Sequence, residues 1–273
     1  MADDPLLDFE RSDFTADGST RPVYRAGTGP AVIVIAEIPG ITPRVADFAR
    51  TVRDAGFSVA MPHLFGMPGR DPDIAAHGRL GTLGTMGRSL GKICVSREFS
   101  LFATGKTSPV VTWLRALAAH EHERCGGPGV GAVGMCLTGG FALAMATDER
   151  MLAPVLSQPS LPLAVLPGRK RGTDISDSDL AVVKQRCAAG DLQVMGLRFK
   201  SDVLVPGERF AWLREQLGDA FVAVELDDED ANPDALIAPH SVLTEHYVDA
   251  PGSRTRAALD DVLGLFRTKL LPD

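Results

Sequence analysis

The chain has 273 residues, 45% of them apolar, with a formal net charge of −7. That length fits one large domain or two small ones, and the apolar share supports a sizeable core rather than disorder. The acidic balance and the lack of clustered Lys and Arg argue against a nucleic-acid partner, and no apolar run reaches membrane-spanning length.

The start, MADDPLLDFERSD, is acidic and lacks the apolar centre of a secretory signal. Residues 1–28 read as an N-terminal extension or edge strands of a single domain, 1–273. AVIVIAEI (31–38) is apolar throughout, as in a strand buried on both faces. PRVADFARTVRDAGF (43–57) has helical spacing, with Pro near its start and Gly near its end. SVAMPHLF (58–65) is a strand. A Gly- and Arg-rich stretch without periodicity runs to about residue 92. SPVVTWLRALAAHEHERCGG (108–127) is a helix, VGAVGMC (130–136) a strand and TGGFALAMATDER (138–150) a helix. The alternation continues with strand 152–160, helix 176–190, strand 192–199, helix 207–221, strand 221–227 and helix 253–271. Strand–helix alternation predicts an α/β class fold, a mostly parallel sheet covered by helices on both faces.

Cys94, Cys125, Cys136 and Cys187 are widely spaced and match no zinc or C-x-x-C pattern. A core of this size needs no disulfide staples, so a soluble, cytoplasmic protein with reduced thiols is expected. Cys136 stands apart, because it ends a strand just before a helix, where open parallel sheets carry their sites. Its frame, Gly134-Met-Cys136-Leu-Thr-Gly139-Gly140, resembles the G-x-S-x-G nucleophile elbow, with Cys for Ser and one extra residue before the glycine pair. A nucleophile on so tight a turn has strained dihedrals and needs small neighbours. The helix N-terminus behind it favours a thiolate, and the Leu137 N–H points towards a developing oxyanion. A buried core cysteine is the competing reading.

A thiol nucleophile calls for a base, and the base for an orienting acid. In α/β-hydrolases the chain order is nucleophile, acid, His. His63, His120 and His122 precede Cys136, which leaves His240 and His246. His240, in APHSV, has the apolar, turn-like setting of a fixed imidazole and is preferred. His246, in TEHYVD, looks more solvated. Asp202 follows the strand ending at Phe199 and is the preferred acid, against a capping role. Asp227 and its acidic neighbours read as a solvated loop. Glu37 lies in an otherwise apolar segment, and a buried carboxylate there is a functional candidate.

Together AEIPG, GMCLTGG, the Asp202 loop and His240-Ser241 resemble the dienelactone hydrolase family, from about residue 30 to the C-terminus. The resemblance implies an α/β-hydrolase fold, a Cys136–Asp202–His240 triad, and hydrolysis of an ester or lactone through a thioester. It implies a second oxyanion N–H from Ile38, and a glutamate, Glu37, that contacts the resting thiol. Arg97 is the best match to a substrate-binding arginine. The family's arginine shortly after the HS pair is missing from HSVLTEH, which bears on substrate more than on reaction type. A small-molecule substrate and no cofactor are implied.

Three other features compete. GVGAVG (129–134) satisfies the dinucleotide fingerprint, but its glycines run through a strand instead of opening a helix. HEHE (120–123) lacks metal-site spacing and reads as a solvated face. A binding protein that kept the fold and lost turnover is the non-enzyme alternative.

Overall fold

The computed structural model describes residues 2–72, 106–164, 167–235 and 237–271. Among these residues eight strands form one sheet: β1 (Glu10–Ala16), β2 (Ser19–Ala26), β3 (Ala31–Ile35), β4 (Ser58–Pro62), β5 (Val130–Met135), β6 (Met151–Ser157), β7 (Val194–Phe199) and β8 (Phe221–Leu226). Their order is β1-β2-β4-β3-β5-β6-β7-β8. β1 and β2 pair antiparallel with each other, and β2 pairs antiparallel with β4. The remaining pairs are parallel. The hairpin of the first two strands turns at Asp17-Gly18, whose φ values of 47° and 69° are those a two-residue type I′ turn requires.

Among the described residues six helices cover the sheet: α1 (Pro43–Asp54), α2 (Val110–Cys125), α3 (Gly139–Met145), α4 (Asp177–Ala189), α5 (Gly207–Leu217) and α6 (Arg254–Leu270). Alternation along the strands assigns them to faces. Ile33 and Ile35 pack with Trp113 and Leu114 of α2, Phe141 of α3 and Phe210 of α5. Val32 and Val34 point the other way, against Val45 and Phe48 of α1 and Val262 and Phe266 of α6. Both faces are apolar because both are covered.

Three strands end sooner than their apolar runs predict. β3 stops at Ile35, since the chain turns at Glu37, whose carbonyl accepts the Gly40 N–H at 2.7 Å. β4 stops at Pro62. β6 stops at Ser157: Gln158 has a left-handed φ of 36°, and Pro159 has no N–H for the ladder. Glu37 and Ser160 are thereby loop residues at the carboxyl end of the sheet, where Cys136 follows β5.

Asp174 backs α3 from below. It is fully buried, accepts a short hydrogen bond from the Ser108 hydroxyl, and packs so near Gly140 that a Cβ there would lie 3.1 Å from the Asp174 nitrogen. Burial pushes its carboxyl up to about 7, against the hydroxyl and amide of Ser108. Between roughly pH 4 and that value the folded chain keeps a proton that the unfolded chain has released. Stability therefore falls as pH rises through this window and levels off above it. Asp174→Asn should lift a penalty on the order of 4 kcal/mol at pH 8. In urea unfolding, its advantage over wild type should be present at pH 8 and absent at pH 4.

Candidate active site

Strand order reverses at β3, which lies between β4 and β5. The crevice at such a reversal, outside the carboxyl ends of the strands, is where open α/β sheets bind ligands. Cys136 follows β5 at this point and opens a 3-10 turn, Cys136–Thr138, that leads into α3. Its φ is 53°, a left-handed conformation that costs an L-residue about 1–2 kcal/mol. The turn closes so tightly that a Cβ on Gly134 would sit 2.1 Å from the Thr138 carbonyl oxygen. One on Gly139 would sit 2.5 Å from Pro159 Cα. Thr138, the extra residue of the sequence frame, is fully buried. Its hydroxyl accepts the Met135 N–H at 2.9 Å and reaches the Ile35 carbonyl at 2.9 Å. It ties the cysteine turn to the end of β3.

Asp202 and His240 meet beside this turn. The His240 Nδ1–H donates to Asp202 Oδ2 at 2.6 Å, and Asp202 Oδ1 accepts the Leu204 N–H at 2.9 Å. His240 Nε2 is buried and has no well-aligned hydrogen-bond partner among the described residues. Burial disfavours the imidazolium, but negative charge on Cys136 and the Asp202 carboxylate outweigh it, so the His240 pKa stands well above its ordinary value. The sulfur acts on the imidazole both by charge and as a hydrogen-bond partner, short of a well-aligned bond at Nε2.

His246 departs from its solvated expectation and is 1% exposed. Its Nδ1 accepts the N–H groups of His240 at 3.3 Å and Ser241 at 3.1 Å, while Nε2–H donates to the Ile237 carbonyl at 3.1 Å. This arrangement requires the neutral ring, and burial lowers its pKa accordingly. His246 shapes the turn that carries His240. Asp227 is exposed and paired with Lys200 at 2.7 Å.

Glu37 is 7% exposed. Its carboxylate accepts Ser241 Oγ–H at 2.7 Å, Gln158 Nε2–H at 3.2 Å and a short bond from the Thr244 hydroxyl. These partners, rather than Cys136, are its hydrogen bonds, so the resting-thiol contact implied by the family likeness is absent from them. The Gln158 amide oxygen accepts the Val242 N–H at 3.3 Å and the Ser157 hydroxyl. Ser160, 1% exposed, brings its hydroxyl to 3.5 Å from Cys136 Sγ. Arg209 spends all five N–H donors on the carbonyls of Pro159, Pro162, Arg169, Gly172 and Leu204. Burial pushes its guanidinium down to about 10. Leu137 is the second residue of the 3-10 turn, where N–H groups lack partners within the helix. Ile38 follows Glu37 across the crevice. Arg97 and Cys94 lie outside the described residues. Ser160, Gln158, Arg209 and Thr244 escaped the sequence reading. One signal for the first two was available: Pro159 marks SQPS as the end of a central strand, at the edge where Cys136 sits.

The competing motifs have packing explanations. Within GVGAVG, a Cβ on Gly131 would meet the Phe266 ring at 2.9 Å. HEHE is a solvated face, as expected, except at Glu121. Glu121 is fully buried and paired with Arg25 at 2.8 Å and Arg124 at 2.7 Å. Among the described residues no cluster of three His, Cys, Asp or Glu is set to hold a metal, and no helix is long and apolar enough to cross a membrane. Cys125, Cys136 and Cys187 carry free thiols.

The family model for the dienelactone hydrolase family matches residues 20–160, just over half of the chain. The chain belongs to the dienelactone hydrolase family. The fold is accordingly that of the α/β-hydrolases. A Klebsiella pneumoniae structure assigned as a dienelactone hydrolase has a TM-score of 0.60 at 17% identity, covering 94% of this chain and 97% of its own. A dienelactone hydrolase-like promiscuous phosphotriesterase from metagenomic libraries has a TM-score of 0.63 at 15% identity, covering 96% and 98%. A cold-adapted esterase from an Arctic intertidal metagenomic library has a TM-score of 0.53 at 15% identity, covering 96% of each chain. No curated protein matches the chain.

In this dienelactone hydrolase family member, the histidine turn rests on His246. Replacing His246 with Phe leaves two inward-facing amides without an acceptor and should cost about 2 kcal/mol or more in urea unfolding. His246→Asn, whose amide oxygen stands in for Nδ1, should lose clearly less.

Proposed function

We propose that the protein hydrolyses a carboxylic ester or lactone, with Cys136 as nucleophile, His240 as base and Asp202 as its orienting acid. The observation that carries this reading is the Asp202–His240 pair at 2.6 Å, with Nε2 buried and unclaimed beside a cysteine held at a φ of 53°. An aspartate on Nδ1 fixes the tautomer, so that Nε2 is the nitrogen free to exchange a proton with the sulfur.

The Cys136 thiol gives its proton to His240 Nε2, and the sulfur's electron pair forms a bond to the acyl carbon. The carbonyl π pair moves onto oxygen, where the N–H groups of Leu137 and Ile38 stabilise the charge. As the tetrahedral intermediate collapses, the C–O bond breaks, and the leaving alkoxide takes the proton from Nε2. Water then passes a proton to Nε2 and attacks the thioester carbon. The C–S bond breaks, the acid departs, and the thiolate recovers its proton. For a lactone, acid and alcohol leave as one molecule. Glu37 acts as a positioning residue: through Ser241 and Thr244 it holds the turn that presents His240.

Cys136→Ala should reduce hydrolysis across a panel of aryl esters, short acyl esters and lactones to the uncatalysed level. His240→Ala and Asp202→Asn should each lower kcat/KM by about 10²–10⁴-fold. Acid-quenched wild-type enzyme should carry the acyl mass on the Cys136 peptide. Full turnover by the Cys136→Ala protein rules this mechanism out.

A further inference from the structure

Ser160 is buried, and its hydroxyl has two acceptors within reach: Cys136 Sγ at 3.5 Å and the Gln158 carbonyl at 3.1 Å. One hydroxyl carries one hydrogen, so it serves one acceptor at a time. Which one it serves depends on the charge of the sulfur. A thiol or thioester sulfur is a weak acceptor, and the carbonyl wins. A thiolate is a charged acceptor, and hydrogen bonds to charged groups are roughly twice as strong as neutral ones.

We propose that Ser160 is a further catalytic residue, whose hydroxyl donates to the Cys136 sulfur while it is a thiolate and turns to the Gln158 carbonyl while it is acylated. The inference rests on Cys136 being the nucleophile. The hydroxyl keeps its own proton throughout and changes only its rotamer. It favours the attacking thiolate in the first half-reaction and the departing thiolate in the second.

The backbone around Ser160 leaves little freedom beyond that rotation. The Ser160 N–H donates to the Cys136 carbonyl at 2.9 Å. The Pro159 carbonyl accepts from Arg209 Nη1 at 2.6 Å, and Gly139 of α3 presses on Pro159 from the other side. The Gln158 N–H donates to the Leu197 carbonyl at 2.8 Å, with its side chain tied to Glu37 and the Val242 amide. A loop held at this many points cannot withdraw the hydroxyl from the sulfur. It also costs a left-handed Gln158, which a mere connection between β6 and α4 would not require.

The test is the iodoacetamide alkylation rate of Cys136 between pH 5 and 10, read by peptide mass spectrometry, with Cys125 and Cys187 as internal references. Ser160→Ala should slow Cys136 alkylation at pH 7 about tenfold and displace its pH profile to higher pH. It should leave the rates of Cys125 and Cys187 unchanged. Ser160→Thr, which retains a hydroxyl, should restore most of the rate. If Ser160→Ala fails to fold by far-UV circular dichroism, Ser160→Gly removes the same hydroxyl without adding volume and decides the matter. A folded hydroxyl-free variant with the wild-type pH profile overturns the role of Ser160. If wild-type Cys136 reacts no faster than Cys125 and Cys187, the nucleophile assignment fails and Ser160 falls with it. Fast wild-type alkylation, an inactive Cys136→Ala protein and an unmoved Ser160→Ala profile would dismiss Ser160 alone.

Discussion

The crevice depends on one buried hydroxyl. Thr138 takes the Met135 N–H, and its hydroxyl lies 2.9 Å from two carbonyls, that of Met135 and that of Ile35 at the end of β3, 103 residues earlier in the chain. The contact with Ile35 crosses the place where the strand order reverses, so it couples the two strands whose ends form the crevice. It also holds closed the turn that puts Cys136 at a φ of 53°. A strained backbone persists only where its surroundings over-determine it. Here the clasp acts with Gly134, which lets the Thr138 carbonyl approach, and Gly139, which lets Pro159 approach. A side chain at either glycine would force the turn open before any chemistry was affected.

From that turn the remaining polar groups fall into two sets. Glu37, Gln158, Ser241 and Thr244 form a network that joins the loops after β3 and β6 to the histidine turn. The carboxylate has no cation among these partners and is satisfied by neutral donors, which is how a buried charge is made tolerable without an ion pair. Arg209 is the converse: a buried cation satisfied by five carbonyls, drawing together the loops after β6 and β7. Each side chain spends its capacity on backbone, on positioned hydroxyls or on the Gln158 amide. The first orients His240. The second fixes Pro159 and thus the residue next to it, Ser160.

Local pattern made much of this legible. The β-branched runs and helical spacings name the elements of the sheet and its cover in the right order. The Gly-flanked Cys136, the strand-end Asp202 and the apolar turn at His240 single out three residues that the fold brings side by side. Contacts between distant segments were not legible, because no periodicity encodes them. Glu37 and Thr244 are 207 positions apart. His246 looked solvated among Thr, Glu, Tyr and Asp, yet its ring is buried because two amides of the preceding turn need an acceptor. Glu121 looked like part of a solvated face for the same reason: Arg25, the partner that lets it be buried, sits 96 positions away. Polar residues are read as exposed unless the partner that buries them is adjacent, and here the partners are remote.

Glu37 shows what this does to an inference carried over from a family. A glutamate that checks a resting thiol must be able to reach it. In this chain its carboxylate is occupied by three donors, two of them on the turn that carries His240. To meet the sulfur it would have to leave those donors, and each hydrogen bond to a charged group contributes about 1.5–3 kcal/mol. HSVLTEH lacks an arginine after the HS pair, and within it the hydroxyl of Thr244 binds the Glu37 carboxylate. The carboxylate's hydrogen-bond partners among the described residues are all neutral. The groups that do approach the sulfur are the imidazole of His240, on the side of the histidine turn, and the hydroxyl of Ser160, from the loop after β6.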